Sequence, residues 1–548
     1  MKHIKAYCCS FLLLLLSINL FAQEYNAVPL DNIAYDIIAL GVLRGVILPP
    51  PAAKPWSART IKQKLLEMLG DPSQLLTADE EETVVSALES FDRSLGFVIN
   101  DGRFRAENKN AGFELGFAWE SDFSVGTPGK SMSSVNLAKL YTAGDALDFL
   151  SWNINAAGEF LYIDRDEQGN TPAIFPYTFS RPWDGGVLSL RNPDALNFWP
   201  DDPTLAYELE GELNAIFFDR LLELRIGRIR HDWGQGLNET SLFLNTHSRP
   251  FLALEGNFLP TQWLNIAFLA GALEHAKEDN CRTNVGQFAN ILTTAQIEFN
   301  PLIYVHFSIG AAAVLLNQPN GAFFTDLEFR LPGMFSLWGR LFVDRLDGSS
   351  GGSGFIAGNS IAYQGGIKTV VYWLPLSSFT LSYTKIEPYC YSGEWNSRWT
   401  AFANSGESLG YYLPPNSDEF LVRLESMFRP EIRAHVQFQM IRHGADFGYG
   451  AVPGSSLYEK MGNARAVKHF LKDGVYQWDN VIKLGAALNL RTRGIPLLFH
   501  AETGLVMTSF TINSNAGIGN EAPHEPLSDQ VYQPVNCFIF SIGFRLFP

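Results

Sequence analysis

From about residue 95 to the end of the chain, apolar and polar residues alternate with a period of two. In FELGFAWESDF, Phe113, Leu115, Phe117 and Trp119 share one face, and Glu114, Gly116, Ala118 and Glu120 share the other. In AYELEGELNAIFF, Glu208, Glu210, Glu212 and Asn214 oppose Leu209, Gly211, Leu213 and Ala215. The pattern returns in VRLESMFRP, EIRAHVQFQMIRH and NVIKLGAALNL. Successive side chains of a strand point to opposite faces, so each segment reads as a strand between two unlike environments. A water-soluble sandwich meets that description with the apolar face inward. A membrane barrel meets it with the apolar face toward lipid and the polar face lining the interior. The chain has 548 residues, too many for one typical soluble core. Strands of roughly ten residues suit a tilted membrane barrel, and a closed barrel leaves no backbone edge unpaired in lipid. No stretch of about 20 apolar residues lies beyond the N-terminus, so helical spans are not expected. The counts of 41 Phe, 19 Tyr, 12 Trp and 47 Gly fit aromatic-rich strands and turns better than helices. The expected fold is an all-β transmembrane barrel of about 16 to 18 antiparallel strands over residues 95–548. A secreted all-β protein is the competing reading.

The N-terminus supports export. MKHIKAYCCSFLLLLLSINLFAQ has a basic start at Lys2 and Lys5, an apolar run from Phe11 to Leu16, and the small Ala22 before a plausible cut. Residues 1–22 therefore read as a signal peptide, the run being short for a membrane anchor. Cys8 and Cys9 precede the apolar core instead of marking the cut, which argues against a lipoprotein. Cys281, Cys390 and Cys537 are far apart and show neither zinc spacing nor a disulfide framework. The net charge of −16 excludes a general nucleic-acid binder.

Residues 23–94 lack the two-residue alternation and read as a helical region on the periplasmic side. LDNIAYDIIALGVLRG has a helical apolar period. Ser57 precedes a run in which Ile61, Leu65 and Leu69 recur every four residues, and Thr77 with Glu80 fits a capping box. Two or three short helices are expected, docked on the barrel in preference to forming a separate domain, because no flexible linker separates them from it. Between strands, TPGKSMSSVN, DRDEQGNTPAIF, LEHAKEDNCRTN, LDGSSGGSGFIAGN, YCYSGEWNSRWTAFANSGES and NSNAGIGNEAPHEP read as loops, several long enough to favour the outer side.

One segment concentrates chemistry: RIRHDWGQGLNETSLFLNTHSRPF, residues 228–251. Adjacent His231 and Asp232 point apart on a strand, and Ser241, His247 and Asp232 lack the G-x-S-x-G context of a nucleophile elbow. His231 and His247 belong to no strong metal-ligand motif. No catalytic residue, metal or cofactor is expected. A recognition role has better materials: fork-shaped donors at Arg228 and Arg230, the flat ring of Trp233, and polar groups at Asp232, Asn238 and Asn245 that together suit a sugar. The structural alternative is equally physical. Arg228 and Arg230 then neutralise lumen carboxylates such as Glu208, Glu210 and Glu212, and Gly234 and Gly236 allow a tight bend. A second cluster, with Arg181, Trp183, Asp184, Arg191, Asp194 and Trp199, and a third, with Tyr389, Tyr391, Trp395 and Trp399, offer either ligand surfaces or ordinary interface aromatics.

Gly227, Arg228, Trp233, Gly234, Gly236, Leu242, Asn245, Arg249, Pro250 and Phe251 resemble the arginine–tryptophan–glycine and arginine–proline segments of the Wzi-type capsule-assembly family. That family often has paired tryptophans and a proline in the first segment, where this chain has Asp232 before a single Trp233. The closing segment NCFIFSIGFRLFP resembles the last strand of bacterial outer-membrane barrels, except that Pro548 follows Phe547. The resemblance implies a large barrel with periplasmic-side helices, loops restricting its channel, and a non-enzymatic role in attaching exported capsule polysaccharide at the cell surface. Candidate glycan contacts are then Arg228, Arg230, Trp233, Asn245, Arg249, Arg181 and Trp183, with Gly234, Gly236 and Pro250 as structural turns. Expected partners are outer-membrane lipid with lipopolysaccharide or an equivalent, a surface polysaccharide, and the barrel-assembly machinery. The competing function is a porin or solute-uptake channel with a charged lumen.

Overall fold

The computed structural model describes residues 26–546 except the main segments 71–75, 92–95, 164–195, 198–203, 235–240, 275–287, 346–359, 393–400, 446–451, 458–473, 491–494 and 514–531, and some short turns and single positions. The signal-peptide reading lies outside the described residues. Within them, eighteen antiparallel strands close into a barrel, the upper end of the expected range. Neighbours in sequence pair around the wall from Ala111–Thr127 to Val535–Leu546. The last strand then returns to the first, from Phe538 opposite Thr127 to Leu546 opposite Trp119. A hairpin of Gly96–Asn100 and Arg103–Asn108 prolongs the wall beside the start of that first strand.

The alternation maps onto the two faces as the period requires. Phe113, Leu115, Phe117, Leu209, Leu213, Val436, Ile482, Leu484, Phe538, Phe540 and Ile542 are exposed on the outside. Glu114, Glu120, Glu212, His435, Gln437 and Lys483 are buried in the interior. Such a surface is stable against hydrocarbon and not against water, and every wall strand has a partner on both sides. One loop expectation fails: the described residues of TPGKSMSSVN, Thr127 and Ser131 to Asn136, are strand, and the two long strands pair as far as Gly126 opposite Ser131.

The barrel's two ends differ. Residues 303–304, 332–334 and 430–431 turn the chain at one end, whereas 164–203, 230–250, 275–287, 346–359, 387–416 and 445–473 join strands at the other. Three helices sit at the short-turn end: α1 (Ile33–Arg44), α2 (Ala58–Leu69) and α3 (Ala78–Glu89). The caps of α2 and α3 match the sequence signals, and α1 has a cap at Asn32 that the sequence reading does not single out. Asn32 accepts from Ala34 N, Ser57 accepts from Thr60 N, and Glu80 accepts from Thr77 N. The helices share one apolar cluster with Leu376 and Met427 of the barrel, so they are docked. Gly45 ends α1 at φ 79°, and a Cβ there would lie 2.3 Å from Pro332 Cβ, so both conformation and contact require glycine. Glu80 fixes the other side, accepting from Leu376 N at 3.0 Å while Arg44 holds its second oxygen at 2.6 Å. Asp36 pairs with Arg433 of the wall.

Candidate functional site

The chemistry-bearing segment leaves the wall at Ile229 and returns at Phe251, and between them it folds inward. Asp232 and Trp233 form a short antiparallel bridge with Ala53 and Lys54, which reach into the lumen from the helical end. Trp233 N donates to Leu244 O, Gly234 N to Ala52 O, and Ala52 N to Glu298 Oε2 of the wall. Lys54 Nζ lies 2.8 Å from Asp232 Oδ2. The segment 387–416 enters from the opposite side: Asn245 N donates to Leu409 O at 2.7 Å, and Tyr391 Oη donates to Leu242 O at 2.8 Å. Phe243 stacks on Phe324 and Phe342, which line the wall, and Phe402 meets both Phe243 and Phe342. Three stretches of chain, distant in sequence, thus form an apolar and hydrogen-bonded plug that constricts the barrel.

Backbone conformation in the plug is unusual. Leu244, Tyr389, Tyr391 and Asn416 all have positive φ without being glycine. Such conformations cost about 1–3 kcal/mol each and persist where surrounding contacts fix them. Leu244, Tyr391 and Asn416 are wholly buried. Burial also raises the Tyr391 and Tyr411 hydroxyls above the ordinary tyrosine range, and both remain neutral donors. Tyr411 and Tyr412 donate to the buried Glu419 carboxylate, to which Gln439 adds a third bond.

The sequence-derived candidates divide between the two faces of the wall and the plug. Arg230 faces the interior, with Nε 3.4 Å from Glu210 Oε1 and Nη1 3.4 Å from Thr246 O. Arg228 faces the opposite way. It lies on the outer wall beside the exposed Leu252, pairing with Glu274 at 3.2 Å and donating to Leu209 O. The side chain that meets the lumen carboxylate Glu212 is Arg225, at 3.1 Å, and it also approaches Glu255 at 3.3 Å and Pro55 O at 3.1 Å. Parity explains the exchange: Arg225 and Gly227 share the buried face, and Arg228 falls on the other. Reading inward parity along this strand and along Phe251–Thr261 finds Arg225 and Glu255, which the local motif does not single out.

Trp233 is 1% exposed, so its ring packs inside the plug and offers no face to solvent. Asn245 is fully buried, its Nδ2 donating to Ser241 O, and Arg249 is buried with its carbonyl accepting from Asn404 Nδ2. Pro250 is buried where the chain rejoins the wall. A Cβ on Gly234 would come within 3.1 Å of Ser241 Oγ, so close packing is the reason for glycine there. Ser241 Oγ lies 2.8 Å from Trp233 O and 2.5 Å from Phe243 O, and its single proton serves one of these carbonyls at a time. His231 and Asp232 do diverge, toward Glu255 and Lys54 respectively. Arg181, Trp183, Gly236, Trp199, Trp395, Trp399 and His247 lie outside the described residues.

A closed antiparallel barrel with a lipid-facing apolar belt defines the chain as an outer-membrane β-barrel protein. Within that class it is similar in fold to Escherichia coli Wzi, described as an outer membrane protein involved in group 1 capsule assembly and a carbohydrate-binding β-barrel. The two share 14% identity at a TM-score of 0.56, over 95% of this chain and 99% of that one. Pseudomonas aeruginosa OpdK, solved with vanillate, gives a TM-score of 0.44 at 11% identity over 79% of this chain and 98% of that one. Acinetobacter baumannii OccAB2 gives 0.44 at 11% over 80% and 98%. No family model and no curated relative matches the sequence.

Proposed function

We propose that this protein acts without catalysis at the outer-membrane surface, binding an exported polysaccharide and serving in capsule assembly or attachment. The observation that carries this reading is the plug. Three stretches of the chain meet inside the lumen, through the Trp233–Ala53 bridge and the Asn245–Leu409 bond, and a narrowed barrel favours surface binding over free solute passage. The near-complete overlap with Wzi in fold, and what that protein is described as doing, point the same way. The short-turn end with its helices then faces the periplasm, and the long connections face outward. The plug sets a division of labour among the candidates. Trp233, Asn245 and Arg249 hold the barrel's interior, while Arg181 and Trp183, in the long 164–203 connection, are the ones proposed to meet glycan.

Deleting the gene in a capsule-producing host and complementing it tests the reading, by weighing cell-associated against shed polysaccharide. Shedding in the deletion, reversed by the wild-type gene, is expected; an unchanged coat overturns it. In the same assay Arg181→Ala with Trp183→Ala is expected to shed polysaccharide although the barrel assembles normally. Full retention by that double variant removes those two side chains from the site. The competing porin reading predicts an intact coat and slower solute uptake.

A further inference from the structure

We propose that the outer wall carries a site for the phosphate-bearing headgroup of an outer-leaflet lipid, built around Arg442. The proposal does not depend on glycan binding. Arg442 sits near the long-loop end of Ile432–Gly444, on the face that carries Val436, and that face is the lipid-exposed one. Strands rise about 3.3 Å per residue, so Arg442 lies one layer above the apolar belt, at headgroup depth. It is paired across the sheet with Trp478 and with Asp418, and its guanidinium stands 5.0 Å from the Trp478 ring. Asp418 takes Nε at 2.7 Å and also Nη2, while Tyr383 Oη donates to the same carboxylate at 2.8 Å.

That arrangement fixes the guanidinium plane and uses two of its three nitrogens. Tyr383 adds a contact to the same guanidinium, and Trp478 Nε1 beside it is a buried donor with no partner among the described residues. Beside them, Lys385 Nζ lies 5.7 Å from the Tyr363 ring, with Glu387 at 3.7 Å, and Tyr363 is 38% exposed to the lipid side. A positioned guanidinium, an ammonium and exposed aromatic rings at the membrane–water boundary suit a phosphorylated headgroup: fork-shaped donors for the phosphate, ring faces for the adjoining sugar or acyl region. The other outer-wall pair makes a useful contrast. Arg228 spends Nε, Nη1 and Nη2 on Glu274 and Leu209 O, leaving no nitrogen free for a ligand.

The test uses the full-length protein in phosphatidylcholine nanodiscs doped with bis-phosphorylated lipid A or its dephosphorylated form, with retained lipid counted by native mass spectrometry. Wild type is expected to retain the phosphorylated form preferentially. Arg442→Gln with Asp418→Asn, which removes both charges together, is expected to lower that preference about tenfold, the scale of a lost charge-assisted hydrogen bond. Trp478→Phe keeps the packing, removes one donor and is expected to lower it by about threefold; it decides the matter if the double variant fails to assemble. Arg228→Gln with Glu274→Gln is expected to leave the preference unchanged. Retention that ignores phosphorylation, an undiminished preference in the Arg442 and Trp478 variants, or an equal loss in the Arg228 control overturns the proposal. Abolition of the preference by millimolar inorganic phosphate also overturns it, by making free phosphate the ligand.

Discussion

Arg225 points into the lumen between Glu212 and Glu255, and all three are almost completely buried. Removing one partner of a buried ionic cluster leaves uncompensated charge, so Arg225→Met is expected to cost about 3–5 kcal/mol. Denaturant-dependent loss of the heat-resistant folded band on gels measures it; an unchanged midpoint contradicts the assigned contact. Glu80 gives a prediction in pH. Burial alone raises its pKa, but donors from Thr77, Leu376 and Arg44 outweigh that and hold it below the ordinary carboxylate range. A carboxylate depressed in the folded state stabilises fully above its unfolded pKa, and that contribution is lost as pH falls through the folded value. Amide exchange across α3 is therefore expected to accelerate only under acid, and Glu80→Gln is expected to flatten that dependence. Equal pH profiles in both proteins contradict the linkage. At this scale the sequence was legible where a local rule applied, as with Ser57 and the Thr77–Glu80 cap. The placement of Arg228 required strand parity, a register no single residue reveals.

Among elements, the strands and helices were readable because each repeats a short period: two for the wall, near four for α2. The plug was readable only through the family resemblance, which implies loops restricting the channel, and not from any local pattern. Residues 230–250 have no period, and their partners at Ala53 and Leu409 lie far away in sequence, so no local pattern records the inward fold. The segment's arginines and glycines left two readings open, sugar recognition and a structural bend with lumen ion pairs. Docking of the strap at Ala52–Lys54 is testable directly. Lys54 and Asp232 are cross-strand partners, and opposed residues of an antiparallel pair have Cα atoms about 4.5–5.5 Å apart, within disulfide reach. Lys54→Cys with Asp232→Cys is expected to oxidise to an intramolecular disulfide in the assembled barrel, seen as a mass loss and faster gel migration. A pair that stays reduced under mild oxidant contradicts the strap's position.

Across the whole molecule, three features act together: a lipid-facing belt, a lumen constricted by its own chain, and helices that lock the constriction from one end. The belt and the closed barrel were legible in the alternation. The proposed glycan contacts Arg181 and Trp183 were not legible as a site, since they rest on composition, and composition does not fix geometry. The barrel is expected to conduct ions poorly however many charges line it, because Trp233, Phe243 and Phe402 pack in one apolar cluster inside it. Single-channel recording of purified wild-type protein in planar bilayers tests that directly. No porin-sized conductance steps are predicted across the voltage range, and steady, large, stepwise openings would contradict a plugged lumen.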